Sequence, residues 1–324
     1  MGFIVSNNVD KKRRHSNSNS ALTDKWQRVK QQTPCQRELR ILFSQFARNR
    51  KYFSTIKIYN ETIAVEPFSF ETTFTADGLK NFFRAYWHYS IYVSIIYLTT
   101  IKILQHHMKD RPPYSLKRAF TIWNGLLAIY SVCSALRGIP VLYEAFKRLT
   151  FYEMVCDKSL TENTPAILFW VAMFVFSKVW ELGDTIMIIL NKRNLMFLHC
   201  YHHVSILISC WYASFRESSY SISVIYVNTF VHSLMYSYFI LKCMEIKVFP
   251  IVAMLITAVQ VIQMVFAFLL TCWIYWLLVN GHPCDTPLDM LQINFLLTLS
   301  YVYLFTDLFY KSYISKSKKG EKKD

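Results

Sequence analysis

From about Tyr86 onward the apolar residues fall into blocks of roughly 17–25 positions with few or no charges, the length at which a helix crosses a bilayer. The blocks lie near 86–105, 119–138, 166–190, 199–215, 222–241, 250–278 and 291–310. A spanning segment must satisfy its own backbone hydrogen bonds, so each block is expected to be helical. The pattern therefore predicts an all-α polytopic membrane protein with seven transmembrane helices. Only seven glycines are present and none forms a GxxxG pair, so close glycine-mediated crossings do not organise the bundle.

The polar positions divide the rest of the chain. Residues 1–55 form a basic, low-complexity extension ("SNNVDKKRRHSNSNS") that reads as largely disordered. Residues 56–85 precede the membrane, 86–310 carry the seven helices, and 311–324 form a basic tail. No apolar h-region opens the chain, so the first span is expected to serve as an uncleaved signal. The opening "MGFIVS" matches a myristoylation pattern at Gly2, but that modification needs a cytosolic N-terminus.

Charge sets the expected orientation. Lys109, Arg111, Lys117 and Arg118 follow the first span, Lys192 and Arg193 the third, and Lys247 the fifth, while six lysines fill the tail. The intervening connections are poorer: 278–290 has no lysine or arginine, and 139–165 offsets its basic residues with acidic ones. The positive-inside rule then puts the C-terminus in the cytosol and the N-terminus in the lumen. The net charge of +15 sits in tails and loops beside the spans, which suits an anionic membrane surface and points to no nucleic-acid partner. Asn60 heads the only N-glycosylation sequon and falls on the lumenal side. Cys156 and Cys284 occupy two different lumenal loops, where an oxidising compartment permits a disulfide between them.

Ionisable groups inside spans are functional candidates. In "SKVWELGDT" Lys178, Glu181, Asp184 and Thr185 recur at three- and four-residue steps and share one helix face. Lys178 can pair with Glu181, which alone would serve packing. In "LHCYHH" His199, His202 and His203 share a face. Asn228, His232 and Tyr236 form a stripe in the fifth span, and Gln260 with Gln263 a row in the sixth. Polar rows in four successive spans avoid lipid only by facing one another, so they are expected to line one chamber.

Three chemistries compete for that chamber. A di-iron oxygenase, a desaturase or hydroxylase, would use histidine boxes, because imidazole suits iron. The nine histidines form only one HxxHH group, and those at 15, 88, 106, 107 and 282 are scattered, which argues against two irons. A transporter or receptor matches the span count, but mid-span breaks at Gly or Pro are not evident in the sequence. Metal-free acyl transfer is the third.

The ordered motifs favour the third. "KVWELGDT" fits K-x-x-E-x-x-D-T, "HCYHH" fits H-x-x-H-H, "HSLMYSYF" fits H-x-x-M-Y-x-Y with Phe239 where a second Tyr is usual, and "TAVQVIQ" fits T-x-x-Q-x-x-Q. In this order and spacing the chain resembles the ELO family of very-long-chain fatty acid elongases over roughly 70–315. The resemblance implies a seven-helix fold with six helices around a substrate tunnel open to the cytosol, in the endoplasmic reticulum membrane. It implies a 3-oxoacyl-CoA synthase that condenses a fatty acyl-CoA with malonyl-CoA and releases CO2 and CoA. No cofactor or metal is expected beyond these two substrates. The other elongation-cycle enzymes (two reductases and a dehydratase) are plausible partners, and a homo-oligomer is possible.

On this resemblance the catalytic residues are His202 as acyl acceptor, through an acyl-imidazole, with His232 as partner or base and His199 and His203 orienting or donating. Lys178, Glu181, Asp184 and Thr185 belong to the substrate-binding mouth, Lys192 and Arg193 to the CoA phosphates, and Asn228, Tyr236, Gln260 and Gln263 to the reacting carbonyls. Cys200 sits at a variable position of the box and is read as incidental. "FSKVWELGDT" and "NLMFLHCYHH" look more like the subgroup acting on saturated and monounsaturated chains.

Overall fold

All seven apolar stretches coincide with helices in the computed structural model, which describes residues 65–315. Residues 1–55, Asn60 and the chain beyond 315 lie outside the described residues. The described residues belong to one compact unit, 58–324.

A 3₁₀ turn, Ser69–Thr72, leads to α1 (Ala76–Tyr86), whose N-cap Thr75 accepts a hydrogen bond from the Gly78 N–H. Then follow α2 (Tyr89–Met108), α3 (Lys117–Arg148), the short α4 (Phe151–Cys156) and α5 (Ser159–Glu162), α6 (Pro165–Trp180) and α7 (Gly183–Leu190). The last four are α8 (Phe197–Phe215), α9 (Ser221–Cys243), α10 (Pro250–Val279) and α11 (Leu288–Phe309), which runs into a π turn, Tyr310–Ile314.

Five of these segments are long and apolar enough to cross a membrane: α3, α6 with α7, α9, α10, and α11 with its π turn. On α3 the large residues Ile122, Leu126, Ile129, Leu136 and Ile139 are each 61–64 % exposed, a stripe that water would not tolerate and lipid accepts. Helices α2 and α8 have 20 and 19 residues, but lysine and histidines interrupt the first and three histidines the second.

Two departures from the apolar pattern matter. The second span was expected to end near 138, yet α3 continues through Pro140 to Arg148. Proline removes a donor and crowds the carbonyl four residues back, but the inner face there is already committed: Val141 and Ala145 pack with Tyr226 of α9, and a Cβ on Gly138 would meet the Tyr226 ring at 2.6 Å. The third span, read as continuous, breaks at Glu181–Leu182. There the Leu182, Asp184 and Thr185 N–H groups donate to carbonyls three residues back. Three residues per turn eclipses positions at a spacing of three, so Lys178, Glu181 and Asp184 lie above one another. The break precedes Gly183, where a Cβ would run into the indole of Trp123 on α3.

Helix contacts run from α3 to α9, α10, α11, α8 and α6 and back to α3, so six helices close on one another, with α2 outside against α7 and α8. Outside that ring, Glu71 of the 3₁₀ turn is fully buried. It accepts from Arg137 Nε at 2.8 Å, Arg137 Nη2 at 2.7 Å, Trp170 Nε1 at 2.7 Å and the Phe68 N–H at 2.9 Å, clasping the turn to α3 and α6. Cys156 at the end of α4 is disulfide-bonded to Cys284, with the Cα atoms 4.4 Å apart.

Candidate active site

The break between α6 and α7 concentrates polar groups. Lys178 and Glu181 are buried, and Lys178 Nζ lies 2.6 Å from Glu181 Oε1, which also accepts from Ser177 Oγ at 3.0 Å. His232 of α9 brings Nδ1 to 3.9 Å from the same oxygen. One turn on, Asp184 accepts from Trp123 Nε1 at 2.7 Å and from Tyr236 OH at 3.0 Å. Thr185 hydroxyl lies 2.9 Å from His199 Nε2 and 2.7 Å from Tyr97 OH. The row on one helix thus reaches the stripe on α9 and the histidines on α8.

The three α8 histidines have different surroundings. His199 is engaged by Thr185, and its ring centroid is 4.3 Å from that of His203. His203 is buried behind it. His202 turns the other way, packs beside Tyr301 and Phe305 of α11, and lines a largely apolar cavity together with Asn228 and Gln263. The cavity follows α8 through Ile206, Ser209, Cys210, Ala213 and Ser214. This 3–4 spacing is one helix face, and its small residues leave the room.

Three buried polar atoms around this region have no hydrogen-bond partner among the described residues: Glu181 Oε2, His203 Nδ1 and Asn228 Oδ1. A buried polar atom without a partner costs free energy, so these are groups that a polar ligand could satisfy. Among the described residues no three His, Cys, Asp or Glu side chains form a metal-binding group.

Some candidate residues are elsewhere. Gln260 donates to Met235 Sδ at 3.3 Å and is not on the cavity wall given by Gln263. Lys192 and Arg193 lie in the α7–α8 turn: Lys192 Nζ donates to the Lys109 carbonyl at 3.1 Å and Arg193 stands over the Phe120 ring. The structure does not bring these two to the histidines. Sequence reasoning in turn missed Trp123, Tyr97 and Tyr301, which hold Asp184, Thr185 and Ser205. Each is an aromatic in an apolar run, and nothing in local spacing separates it from core or lipid-facing neighbours.

A closed set of apolar helices carrying buried ionisable rows and a histidine on an inner cavity defines a multi-pass membrane protein with an enzyme-like interior. The chain belongs to the ELO family: the GNS1/SUR4 family model matches residues 82–321. It is 34% identical over 263 residues to very long chain fatty acid elongase 6 of Drosophila melanogaster, covering 79% of this chain and 83% of that protein. It is 36% identical over 242 residues to putative fatty acid elongase 4 of Caenorhabditis elegans, covering 74% and 82%. It is 33% identical over 259 residues to human very long chain fatty acid elongase 3, covering 80% and 94%.

Proposed function

We propose that this protein is a very-long-chain fatty acid elongase, a 3-oxoacyl-CoA synthase that joins a long-chain acyl-CoA to malonyl-CoA. The observation that carries this reading is the position of His202. Of the three α8 histidines it alone is on the cavity wall, in a chain whose elongase relatives match it over most of their length. The His202 imidazole attacks the acyl thioester carbonyl; the C–S bond breaks and CoA leaves with the imidazole proton. Malonyl-CoA then loses CO2, and the resulting enolate carbon attacks the acyl-imidazole. The new C–C bond forms as the C–N bond breaks, giving 3-oxoacyl-CoA, and the departing imidazolide takes up one proton from solvent to restore neutral His202.

His232 serves as partner or base, and His199 and His203 fix and polarise the box. Lys178, Glu181, Asp184 and Thr185 meet the malonyl carboxylate and the CoA end, and Lys178 is the cation that suits a carboxylate. Asn228, Tyr236, Gln260 and Gln263 hydrogen-bond around the reacting carbonyls. Lys192 and Arg193 take the CoA phosphates after leaving their present partners. The acyl chain lies in the cavity inside the six-helix ring, which acts as the substrate tunnel. In this reading α2 and α8 also cross the bilayer, giving seven spans in the endoplasmic reticulum, with the N-terminus and Asn60 lumenal and the C-terminus cytosolic. Other elongation-cycle enzymes are the partners that its product requires, and saturated and monounsaturated long chains its substrates.

Membranes containing the protein, given labelled malonyl-CoA and a panel of acyl-CoAs, should form labelled 3-oxoacyl-CoA with at least one member. His202→Ala should lower that rate by at least about 100-fold, the scale of a lost catalytic imidazole. Full activity of the purified variant would exclude His202 as acyl carrier.

A further inference from the structure

Helix α2 lies outside the six-helix ring, yet one of its side chains reaches toward the histidine box. Ser90, Ser94, Tyr97 and Ile101 are buried and recur at three- and four-residue steps, so they form the face that α2 turns inward. The two serines spend their hydroxyls on their own helix: Ser90 donates to the Trp87 carbonyl and Ser94 to the Ser90 carbonyl, each at 2.7 Å. Tyr97 instead carries its hydroxyl across to Thr185 of α7 at 2.7 Å, and Thr185 lies 2.9 Å from His199 Nε2 on α8. Tyr97 and Thr185 are both buried, so neither exchanges its partner for water.

Thr185 is available for this because of where the helix breaks. Thr99, Thr121 and Thr229, in unbroken helix, each donate to the carbonyl four residues back. Thr185 follows the break, and its hydroxyl bonds to two side chains instead. That hydroxyl has one proton and no third partner among the described residues, so it accepts from one neighbour and donates to the other. The phenol is the better donor of the two hydroxyls, and the bare nitrogen of a neutral imidazole is the better acceptor. The run is therefore from Tyr97 to Thr185 to His199 Nε2. The reverse order would leave the phenol proton to the Cys200 thiol, which stands beside Tyr97 and accepts poorly.

Resting on the elongase reading above, we infer that Tyr97 is a positioning residue: through Thr185 it holds the His199 ring with Nε2 as acceptor and the proton on Nδ1. The bond made at one ring nitrogen decides which nitrogen carries the proton, and here it is decided from a helix that contributes nothing to the cavity wall. The Nε2 lone pair of His199 is then occupied and cannot take the acyl group, which leaves the transfer to His202. The held ring also packs against His203, with the centroids 4.3 Å apart, so the relay fixes a second member of the box.

Two variants and one spectrum test the relay. Tyr97→Phe removes the hydroxyl and keeps the ring. Ser94→Ala, on the same face, removes a hydroxyl that bonds within α2 and serves as the control. Membranes holding the full-length protein are assayed with labelled malonyl-CoA and the acyl-CoA it uses best. Tyr97→Phe should lower kcat about tenfold, the scale for losing a partner that orients a functional imidazole. KM for either substrate should stay within about twofold, since the relay does not bind them. Ser94→Ala should match the unaltered protein. The proton itself is read in purified full-length protein carrying isotope-labelled histidine, where long-range nitrogen–proton NMR spectra separate the two tautomers and His199→Gln identifies the His199 signals. The unaltered protein should show the Nδ1–H form, and Tyr97→Phe a mixture, because Thr185 is then free to accept as well as donate. An Nε2–H or doubly protonated His199 in the unaltered protein would overturn the relay. So would an unchanged tautomer in Tyr97→Phe, or an equal loss of rate in Tyr97→Phe and Ser94→Ala. Absence of condensation with every acyl-CoA would instead remove the elongase reading, and the spectrum would still decide the tautomer.

Discussion

Lys178 and Glu181 stand three residues apart, both buried, with Nζ 2.6 Å from Oε1, at the point where the helix between residues 165 and 190 breaks. The tightened turn stacks the two side chains and directs the pair toward His232 on α9. Neither charge can be left alone in such a place. Glu181→Gln keeps the shape and strands the ammonium, which should cost about 3–5 kcal/mol. Lys178→Met combined with Glu181→Gln removes both charges and should recover most of that loss. Thermal unfolding of the purified proteins in one detergent measures the difference. Equal destabilisation of the single and double variants would show that the pair does not act as a unit.

Gly183 and Trp123 make a second linked pair. The missing Cβ of Gly183 is where the Trp123 indole sits, and the same indole donates to Asp184 at 2.7 Å. Gly183→Ala should overpack this contact and cost about 1–3 kcal/mol. Trp123→Phe makes room but forfeits the hydrogen bond to Asp184. The double variant should therefore be more stable than the two single losses added together, with a coupling of at least about 0.5 kcal/mol. Strict additivity in a thermal-unfolding cycle would count against the contact.

How far the chain was legible depends on the kind of signal. The apolar blocks located every long helix, because lipid forces hydrogen-bonded helix on any spanning segment. The polar rows identified Lys178, Glu181, Asp184, His199, His232 and Tyr236 as one neighbourhood, since ionisable groups in apolar helices must face inward. The break at Glu181–Leu182 was not legible: Gly183 offers permission for it, while its cause is Trp123, 60 positions away. The continuation of α3 past Pro140 was hidden for the same reason, because it rests on packing of Val141 and Ala145 against Tyr226. Glu71 gave no sign either, since a glutamate in a polar pre-membrane segment looks like solvent-exposed charge until Arg137 and Trp170 are seen beside it.

That buried glutamate predicts a pH effect. Burial raises the carboxyl of Glu71, but Arg137, the Phe68 N–H and Trp170 outweigh it and hold the group below its ordinary value. A depressed carboxyl contributes stability above the ordinary carboxylate range and loses it as pH falls through the folded value. Thermal stability should therefore fall from about pH 5 downward more steeply in the unaltered protein than in Glu71→Gln, which has no proton to gain. At neutral pH Glu71→Gln should be the less stable of the two, since it leaves Arg137 with a weaker partner. Parallel pH profiles would exclude this clasp as a titrating element.

Cys156 and Cys284 lie 128 positions apart and are joined where α4 meets the α10–α11 connection. The Asp285 N–H donates to the Cys156 carbonyl at 2.8 Å, and Tyr152 hydroxyl donates to the Pro283 carbonyl, so the cross-link is embedded in a hydrogen-bonded contact. Ser219 and Thr286 hydroxyls share a further hydrogen bond at 3.1 Å, tying the α8–α9 turn to the same place. Opening the cross-link should loosen the end of the bundle that holds the α8–α9 turn, while His202 stays held by Tyr301 and Phe305 on α11. Cys156→Ser should lower stability by about 2–5 kcal/mol, the range for a native disulfide closing a long loop. Unfolding midpoints under oxidising and reducing conditions provide the check. Reductant should lower the midpoint of the unaltered protein toward that of the variant and leave the variant unchanged. A midpoint indifferent to reductant in both proteins would mean that the packing around the cysteines, rather than the bond, holds α4 to the α10–α11 connection.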